Sequence, residues 1–285
     1  MPAIITPFTE RGDVDPDTHA SNVETLSGRG IEGFLIAGST GEGPLLEPGE
    51  RQVLVESSRA AVPQGYLMCG IAAESLRGAM AQALEAAEGG ADSVLVLTPT
   101  SLVRGKDQLV AGFYRDMADR SPLPIFLYSV PKVTGYELPT EVAAGLSGHS
   151  SVAGMKDSGG QPVRVPAILE SAPPEELDLY SGSTPALTLS ITAGARGGIT
   201  ASSNYASGLA QTVVAAAVTE PGTALPAQWR LTTVAAAVER HGISGVKAAA
   251  AMIGLQPGSV RRPLAPLSPT AVEAIRAALK VAAII

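Results

Sequence analysis

The chain has 285 residues, 45% of them hydrophobic and 16% charged, with 20 basic and 27 acidic side chains and a formal net charge of −7. This length and composition suit one large globular core, and the absence of a basic run argues against nucleic acid and favours a small-molecule partner. The apolar runs are shorter than the roughly 18 residues of a membrane span and the N-terminal residues do not resemble a signal peptide, so we expect a cytoplasmic protein with no membrane contact.

Cysteine and histidine are too few and too scattered to predict a metal centre. Cys69 is the only cysteine, which excludes an internal disulfide and any multi-cysteine metal site. The three histidines, His19, His149 and His241, lie far apart in sequence and outside any ligand-spaced motif. This pattern weakens a zinc-dependent or histidine-dependent mechanism without excluding one, and we expect neither a metal nor a separate cofactor.

Short apolar runs alternate along the chain with segments of helical character. Successive runs are mostly about 25–30 residues apart, the length of one strand, one helix and two short loops. Eight such units predict an α/β fold, a closed (β/α)8 barrel of the TIM type. The eight predicted strands are Ala3–Ile5, Gly33–Ala37, Leu67–Ile71, Ser93–Leu97, Ile125–Tyr128, Val152–Lys156, Leu177–Ser181 and Gly198–Ala201.

The segments between the runs carry helix start and stop signals. Proline or an acidic residue stands near the beginning, and glycine or proline follows the end. Apolar residues recur at helical spacing, so each segment has one face that can pack on a sheet. The clearest predicted helices are Pro48–Ala61, Leu76–Glu88 and Lys106–Arg120.

After the eighth run the chain is predicted to be helical. Tyr205–Val218 is the last predicted barrel helix, and Glu220-Pro-Gly-Thr223 is a predicted break. We therefore divide the chain into a catalytic barrel, residues 1–218, and a C-terminal helical region, residues 219–285. The predicted helices of that region are Gln228–His241, Gly245–Gly254 and Pro269–Val281, with an irregular connector between the last two.

A glycine-rich cluster, Gly38-Ser-Thr-Gly-Glu-Gly43, directly follows the second run. In a barrel of this type the active site forms where strands end and the following loops begin. The glycines allow a tight turn whose amides, with the hydroxyls of Ser39 and Thr40, can bind a carboxylate. A purely structural glycine turn would look the same, and the Gly-Lys-Ser/Thr ending of a nucleotide-binding loop is missing.

The fifth and sixth runs end in a tyrosine and a lysine. An amine at the end of a buried strand loses hydration when charged, which favours the free amine that attacks a carbonyl, so Lys156 is the candidate Schiff-base residue. Tyr128 can pass a proton to and from a substrate oxygen. Either residue alone is commonly an ordinary strand-end side chain with its polar tip in water. Because strands five and six are neighbours in the predicted barrel, we predict that Tyr128 and Lys156 lie side by side.

Two further glycine-rich stretches end the seventh run and enclose the eighth, Ser181-Gly-Ser-Thr184 and Gly194-Ala-Arg-Gly-Gly-Ile-Thr200. Barrels often bind phosphate at this position, but small residues also allow close packing, which is the interpretation we favour. Gly182 and Ile199 are predicted to form walls of the substrate pocket.

The chain contains four motifs in a fixed order: Gly38-Ser-Thr-Gly-Glu42, Tyr128-Ser-Val-Pro-Lys-Val-Thr-Gly135, Gly154-Met-Lys-Asp-Ser-Gly159 and Val260-Arg-Arg-Pro-Leu264. In order and spacing they resemble those of the dihydrodipicolinate synthase / N-acetylneuraminate lyase family, over nearly the whole chain. Within that family, the tyrosine and lysine motifs are most similar to those of 4-hydroxy-2-oxoglutarate aldolase.

The resemblance implies a class I lyase that forms a Schiff base between pyruvate and Lys156. It also implies proton transfer through Tyr128 and binding of the substrate carboxylate by Ser39 and Thr40 beside Gly38. No cofactor is needed beyond the covalent imine on Lys156. The family is mostly tetrameric, built as a dimer of dimers, so we expect a homo-oligomer, a dimer or a tetramer.

The sequence departs from the family at two places. The synthases have an arginine, which holds the second carboxylate of the incoming aldehyde, where this chain has Val133, and the neighbouring Lys132 is a possible substitute. Many members also carry a tyrosine pair that reaches into a neighbouring subunit, at the positions of Thr100 and Ser101. The usual hydroxyl relay is therefore shortened or replaced.

Three functions are compatible with these residues. We favour an aldolase that releases pyruvate from, or adds it to, a 4-hydroxy-2-oxo acid. The first alternative is a hydro-lyase on the same scaffold, a 4-hydroxy-tetrahydrodipicolinate synthase or a sugar-acid dehydratase. The second alternative is a non-catalytic protein that binds a keto acid, since a shared fold does not fix the reaction. In every case the ligands are a 2-oxo acid and, for the enzymes, an aldehyde or a hydroxylated acid.

Overall fold

The computed structural model describes residues 1–173 and 175–285, and its centre is a single parallel sheet. Over these residues seven strands lie side by side in chain order, and all neighbouring strands run parallel. Parallel neighbours need a crossover connection, which helices supply here. The strands are β1 (Gly33–Ile36), β2 (Tyr66–Ile71), β3 (Ser93–Leu97), β4 (Ile125–Ser129), β5 (Val152–Asp157), β6 (Asp178–Ser181) and β7 (Gly197–Gly198).

The N-terminal segment closes the sheet into a barrel. Pro2 forms a parallel bridge with Thr200, and Ala3 forms one with Leu35 of β1. The Ile4 N–H donates to the Leu35 carbonyl at 2.9 Å, and the Ala3 N–H donates to the Thr200 carbonyl at 3.1 Å. The segment thus takes the place of an eighth strand between β1 and the residues after β7. This is the (β/α)8 barrel that the sequence predicts.

The two runs at the closure form less strand than predicted. Ala3–Ile5 makes only isolated bridges, and Gly198–Ala201 is reduced to the end of β7 and the bridge at Thr200. Proline has no N–H to donate, so Pro2 and Pro7 limit the hydrogen-bond ladder on either side of the first run. The other six strands lie within two residues of their predicted bounds.

Helices follow the strands and cover the outside of the barrel. Three of them have a side-chain N-cap, from Asp15, Ser75 and Ser268; for example, the Ser75 hydroxyl accepts a hydrogen bond from the Gly78 N–H at 3.1 Å. No helix within the described residues is long and apolar enough to cross a membrane. The helices are α1 (Pro16–Ser27), α2 (Glu50–Ala61), α3 (Leu76–Glu88), α4 (Asp107–Arg120), α5 (Pro131–Thr134), α6 (Thr140–Ser147), α7 (Arg164–Leu169), α8 (Leu187–Thr192), α9 (Ser207–Thr219), α10 (Pro221–Glu239), α11 (Gly242–Met252) and α12 (Pro269–Val281).

Helix α10 begins earlier than the sequence suggests. The predicted break at residues 220–223 is confined to Glu220, because α9 ends at Thr219 and Pro221 already starts α10. Proline fits the first helical position, where the N–H has no partner in any case. Pro226 lies inside α10 and removes only one backbone hydrogen bond. The C-terminal region is therefore helical almost from its first residue, while α12 has the predicted bounds.

Side chains along the strands alternate between two cores. In β4, Ile125 and Leu127 pack into the large core between sheet and helices, whereas Phe126 and Tyr128 face the barrel interior. The interior core is small, so the side chains at the strand ends are the ones available to a substrate. Its buried members are Ala3, Leu35, Met68, Leu95, Phe126, Tyr128, Val130 and Ile199.

Candidate active site

The structure brings Tyr128 and Lys156 together at the C-terminal ends of β4 and β5. The two residues stand opposite each other in the parallel register. Lys156 Nζ donates to the Tyr128 hydroxyl at 3.5 Å and lies 4.6 Å from the centroid of its ring. Both residues are buried, at 4% and 5% exposure. An amine and a phenol are thus placed where both can reach one substrate oxygen.

On the side of β5 that faces the barrel interior, the last residue is Lys156 and the residue before it is Gly154. It precedes Lys156 by two residues, so it points to the same side of the sheet. In the register it pairs with Phe126, and a Cβ at Gly154 would lie only 2.7 Å from Phe126 Cδ1. The Phe126 ring occupies the space that a side chain at position 154 would need.

The environment of Tyr128 favours the phenolate. Burial raises the pKa of the phenol, but the Lys156 ammonium and the hydroxyls of Ser39 and Ser158 act in the opposite direction. The net effect is a pKa below the ordinary value of 10. A phenol with a lowered pKa gives up its proton more readily, and this property suits a general acid–base group, which accepts a proton in one step and donates it in another.

Ser158 is a site residue that the sequence analysis did not select. Its Oγ lies against Gly182, and a Cβ added to Gly182 would overlap that oxygen and come within 2.8 Å of Lys156 Cε. Gly182 therefore lies directly against Lys156 and Ser158, and a side chain at this position would collide with both. Ser158 lies two residues after Lys156, in the turn that follows β5, and this location could have identified it as a site residue. A serine in a turn is usually explained by turn geometry alone, however.

An arginine fixes the turn that carries Ser158. Arg164 Nε donates to Asp157 Oδ2 at 2.6 Å, and Nη2 donates to the Leu138 carbonyl at 2.7 Å. The other oxygen of Asp157 accepts from the Gly159 N–H at 2.7 Å. Glu137 lies 3.2 Å from Arg164 Nη1. Asp157, the residue next to Lys156, is thus held by a charge-assisted network that is itself largely buried.

The predicted carboxylate loop, Gly38–Gly43, lies across the barrel mouth from Lys156. Gly38 and Ser39 line a small cavity together with Tyr128, while Thr40 is half-buried outside that lining. Two non-glycine residues in and beside the loop, Ala37 and Glu42, adopt left-handed backbone with φ of 54° and 58°. Such residues cost free energy and persist only where the surroundings hold them. The loop is a rigid, specifically shaped element.

The remaining predicted residues are not all near the lysine. Ile199 is fully buried in the barrel interior, in the same core as Tyr128. Val133 lies on α5 and is 59% exposed, so it does not form a closed pocket wall in the single chain. The backbone N–H groups of Thr100 and Ser101 both donate to the Glu74 carboxylate at 2.9 Å, which fixes the loop where many relatives have tyrosines.

A larger cavity, of about 580 Å³, opens at the other end of the barrel. It is lined by the strand beginnings, including Gly33, Tyr66 and Asp178, and contains neither Tyr128 nor Lys156. Active sites of such barrels form at the opposite face, so we assign the site to the Tyr128–Lys156 end despite its smaller volume. Across residues 1–173 and 175–285, no three His, Cys, Asp or Glu side chains are grouped as metal ligands would be.

Sequence comparison gives one consistent result. The family model described as Dihydrodipicolinate synthetase family matches residues 1–282. The 4-hydroxy-tetrahydrodipicolinate synthase of Methanothrix thermoacetophila is 34% identical over 275 residues, which cover 94% of this chain and 91% of the relative. That of Methanosarcina mazei is 30% identical over 275 residues, with 94% and 92% covered.

Structural comparison agrees with the sequences. Dihydrodipicolinate synthase from Acinetobacter baumannii, solved in complex with pyruvate, superimposes with a TM-score of 0.94 at 27% identity over 100% of this chain and 98% of the other. A monomeric dihydrodipicolinate synthase variant superimposes with a TM-score of 0.92 at 26% identity, with 100% and 96% covered. Both likenesses extend over the barrel and the C-terminal helices.

Proposed function

We infer the reaction from two facts: the chain belongs to the dihydrodipicolinate synthetase family, and it is a lyase of that family. We propose that it acts as a 4-hydroxy-tetrahydrodipicolinate synthase, joining pyruvate to aspartate semialdehyde with loss of water. The aldolase that we favoured from the sequence is not confirmed, and the names of the relatives support the hydro-lyase alternative. The observation that carries the proposal is the buried Lys156–Tyr128 pair.

Lys156 supplies the covalent step. Its free amine adds to the ketone carbon of pyruvate, and the carbinolamine loses water to give an imine. The pyruvate methyl group then releases a proton, and the imine nitrogen accepts the electron pair, which leaves an enamine. The enamine carbon bonds to the aldehyde carbon, whose oxygen takes up a proton. The amine of the semialdehyde finally displaces Lys156 and closes the ring. The proposed reaction therefore needs no separate cofactor.

Tyr128 is the proposed proton carrier for these steps. Its hydroxyl lies 3.5 Å from Lys156 Nζ, so it can reach the oxygen that leaves as water and the aldehyde oxygen that becomes a hydroxyl. Ser39 and Ser158 each interact with the phenol and lower its pKa. We propose that these two hydroxyls, both from the same chain, replace the relay that the tyrosine pair provides in many relatives.

The second carboxylate of the semialdehyde needs a cation that Val133 cannot supply. We propose Arg104 for this role, since its Nη1 and Cζ lie 3.3 and 3.4 Å from the position of a Cβ on Gly135, two residues beyond Val133. Arg104 is exposed, and it forms no hydrogen bond or ion pair with any other described residue. The Tyr136 hydroxyl donates to Asp107 Oδ1 at 2.7 Å and ties the two loops together. Arg104 thus supports the synthase, because it offers a guanidinium to a carboxylate at this position.

The test is to incubate the enzyme with pyruvate and aspartate semialdehyde and to identify the product by mass, alongside a separate assay of pyruvate release from 4-hydroxy-2-oxoglutarate. The synthase predicts a product whose mass equals the sum of the substrates minus water. Arg104→Leu should raise the KM for the semialdehyde about tenfold or more, whereas Arg115→Leu, a change of an exposed arginine on α4, should not. Pyruvate release without any condensation product would contradict the proposal.

Aldol cleavage is the second candidate, and Val133 is the observation that favours it. Loss of a charge-assisted contact to the second carboxylate costs roughly 1.5–3 kcal/mol, or about 10–150-fold in catalytic efficiency, if nothing replaces it. Val133→Arg should then improve condensation relative to cleavage. If Arg104 already binds the carboxylate, Val133→Arg changes the ratio little, so this variant separates the two candidates.

A further inference from the structure

A buried ion pair joins the carboxylate loop to the C-terminal helical region. Glu42, in the loop, has no exposed side-chain area, and Lys247 of α11 is 4% exposed. Lys247 Nζ lies 2.6 Å from Glu42 Oε1. Oε1 has no donor at hydrogen-bonding angles, so the attraction at this oxygen is mainly Coulombic, and in a buried site it is screened little by water.

Both partners are held by further contacts that fix where the pair lies. Glu42 Oε2 accepts from the Arg261 backbone N–H at 2.8 Å, and Lys247 Nζ donates to the Ser259 carbonyl at 2.6 Å. The centroid of the Phe8 ring lies 4.9 Å from Lys247 Nζ and 4.3 Å from Arg261 Cζ, so two cations pack against one aromatic ring. The loop is therefore anchored to the segment after α11 by a direct, charge-assisted contact.

The backbone around Glu42 leaves the loop little freedom. A Cβ on Gly41 would lie 2.7 Å from the Ile4 carbonyl, and the Thr6 hydroxyl donates to the Gly41 carbonyl at 2.6 Å. Glu42 itself has φ of 58°, in the left-handed region. A non-glycine residue in this region is strained relative to ordinary backbone. The buried contacts of Glu42 compensate for that strain, so the conformation of the loop depends on them.

Stability alone is a poor reason to keep such a pair. Replacing a buried ion pair by apolar residues of similar volume is often neutral or stabilising, whereas removing only one partner is strongly destabilising. The pair instead specifies one position for the loop that presents Gly38 and Ser39 to the cavity beside Tyr128. Ser39 stands three residues from Glu42, and the Glu42 N–H donates to the Ser39 carbonyl at 3.1 Å.

We propose that Glu42 and Lys247 are positioning residues, which set the place of the Ser39 loop and thereby the affinity of the site for the keto-acid carboxylate. The inference deepens the proposed function and rests on imine formation at Lys156. Neither residue touches the substrate. A displacement of about 1 Å in a positioning element can cost on the order of a hundredfold in rate, so a large effect on substrate affinity is expected from the loss of the pair.

The test measures labelling of Lys156 by pyruvate and borohydride over a range of pyruvate concentrations. Compared with the unmodified enzyme, Lys247→Met should raise the pyruvate concentration for half-maximal labelling by about tenfold or more, and Lys247→Arg, which keeps the cation, should recover most of the affinity. If Lys247→Met fails to fold, Glu42→Gln is the second variant. It retains an acceptor for the Arg261 N–H but loses the negative charge, and it should also weaken labelling. Circular dichroism establishes which variants are folded.

Arg59→Met is the matched control, because it removes an ion pair with Asp92 at 2.8 Å that lies away from the loop. It should lower the melting temperature somewhat and leave the labelling curve unchanged. The double variant Glu42→Gln/Lys247→Met should be no worse than Lys247→Met, since the two residues act as one unit. A folded Lys247→Met with normal concentration dependence would overturn the inference, whereas absence of labelling in the unmodified enzyme would overturn the proposed function instead.

Discussion

Gly182→Ala should abolish most of the activity while leaving the fold intact. The new methyl group would overlap Ser158 Oγ, lie 2.8 Å from Lys156 Cε and lie 3.0 Å from Ser158 Cβ. These three atoms belong to side chains that can move, so the collision is relieved by displacing the reactive lysine and its neighbouring hydroxyl. We expect overpacking to cost about 1–3 kcal/mol of stability. We expect a loss of about a hundredfold in turnover, because reactive groups displaced by about 1 Å lose that much.

Gly197→Ala is a matched control on the same sheet. A Cβ at Gly197 meets no atom within 4 Å, and its backbone is not left-handed. Turnover and melting temperature of both variants are compared with those of the unmodified enzyme, and the rate of borohydride trapping with pyruvate reports on Lys156 directly. If Gly182→Ala retains more than about half of the turnover, the space between Gly182 and Lys156 is not needed for catalysis, and the assignment of Ser158 and Gly182 to the site is wrong.

Three other changes test separate parts of the account. Tyr128→Phe should lower kcat by about 10²–10⁴-fold with little change in circular dichroism, since it removes one catalytic hydroxyl, and near-normal turnover would mean that the proton takes another route. Ser158→Ala should move the alkaline limb of the pH–rate profile to higher pH, because a hydroxyl that lowers the Tyr128 pKa is lost. An unchanged limb would show that Ser158 is not part of the proton relay through Tyr128. Burial lowers the pKa of His19 to about 4, although a backbone contact with Ile5 partly raises it. As the pH falls below about 6.5, His19 therefore binds a proton in the unfolded chain but not in the folded chain. Stability should therefore be full above pH 6.5 and fall by about 2 kcal/mol by pH 5, measured by urea unfolding, and this slope should be absent in His19→Gln.

The parts of the site that the sequence predicts correctly depend on local pattern and on barrel topology. Tyr128 and Lys156 each end an apolar run, and runs that follow one another in a parallel barrel become neighbours, so their contact follows from the order of the elements alone. The glycine loop could be located for the same reason. In contrast, the break predicted at residues 220–223 is confined to Glu220, because proline and glycine occur both in turns and in the first turn of a helix.

The parts that were missed depend on contacts between distant segments. Glu42 and Arg261 meet across 219 positions of sequence, and nothing near either residue indicates the partner. Ser158 was visible as a turn residue, but its role depends on the missing side chain of Gly182, directly after the next strand. Val133 stands where the synthases have their substrate-binding arginine, yet it is 59% exposed, since the short helix α5 carries it toward the surface.

The central claim is that Lys156 forms an imine with a 2-oxo acid, and reduction with borohydride in the presence of pyruvate tests it most directly. The account predicts one covalent adduct per chain, with the mass of pyruvate joined as a reduced secondary amine, in the peptide that contains Lys156. Lys156→Arg should give no adduct, because a guanidinium stays protonated and cannot form the imine. An adduct on another lysine, or none on the folded enzyme at saturating pyruvate, would contradict the account.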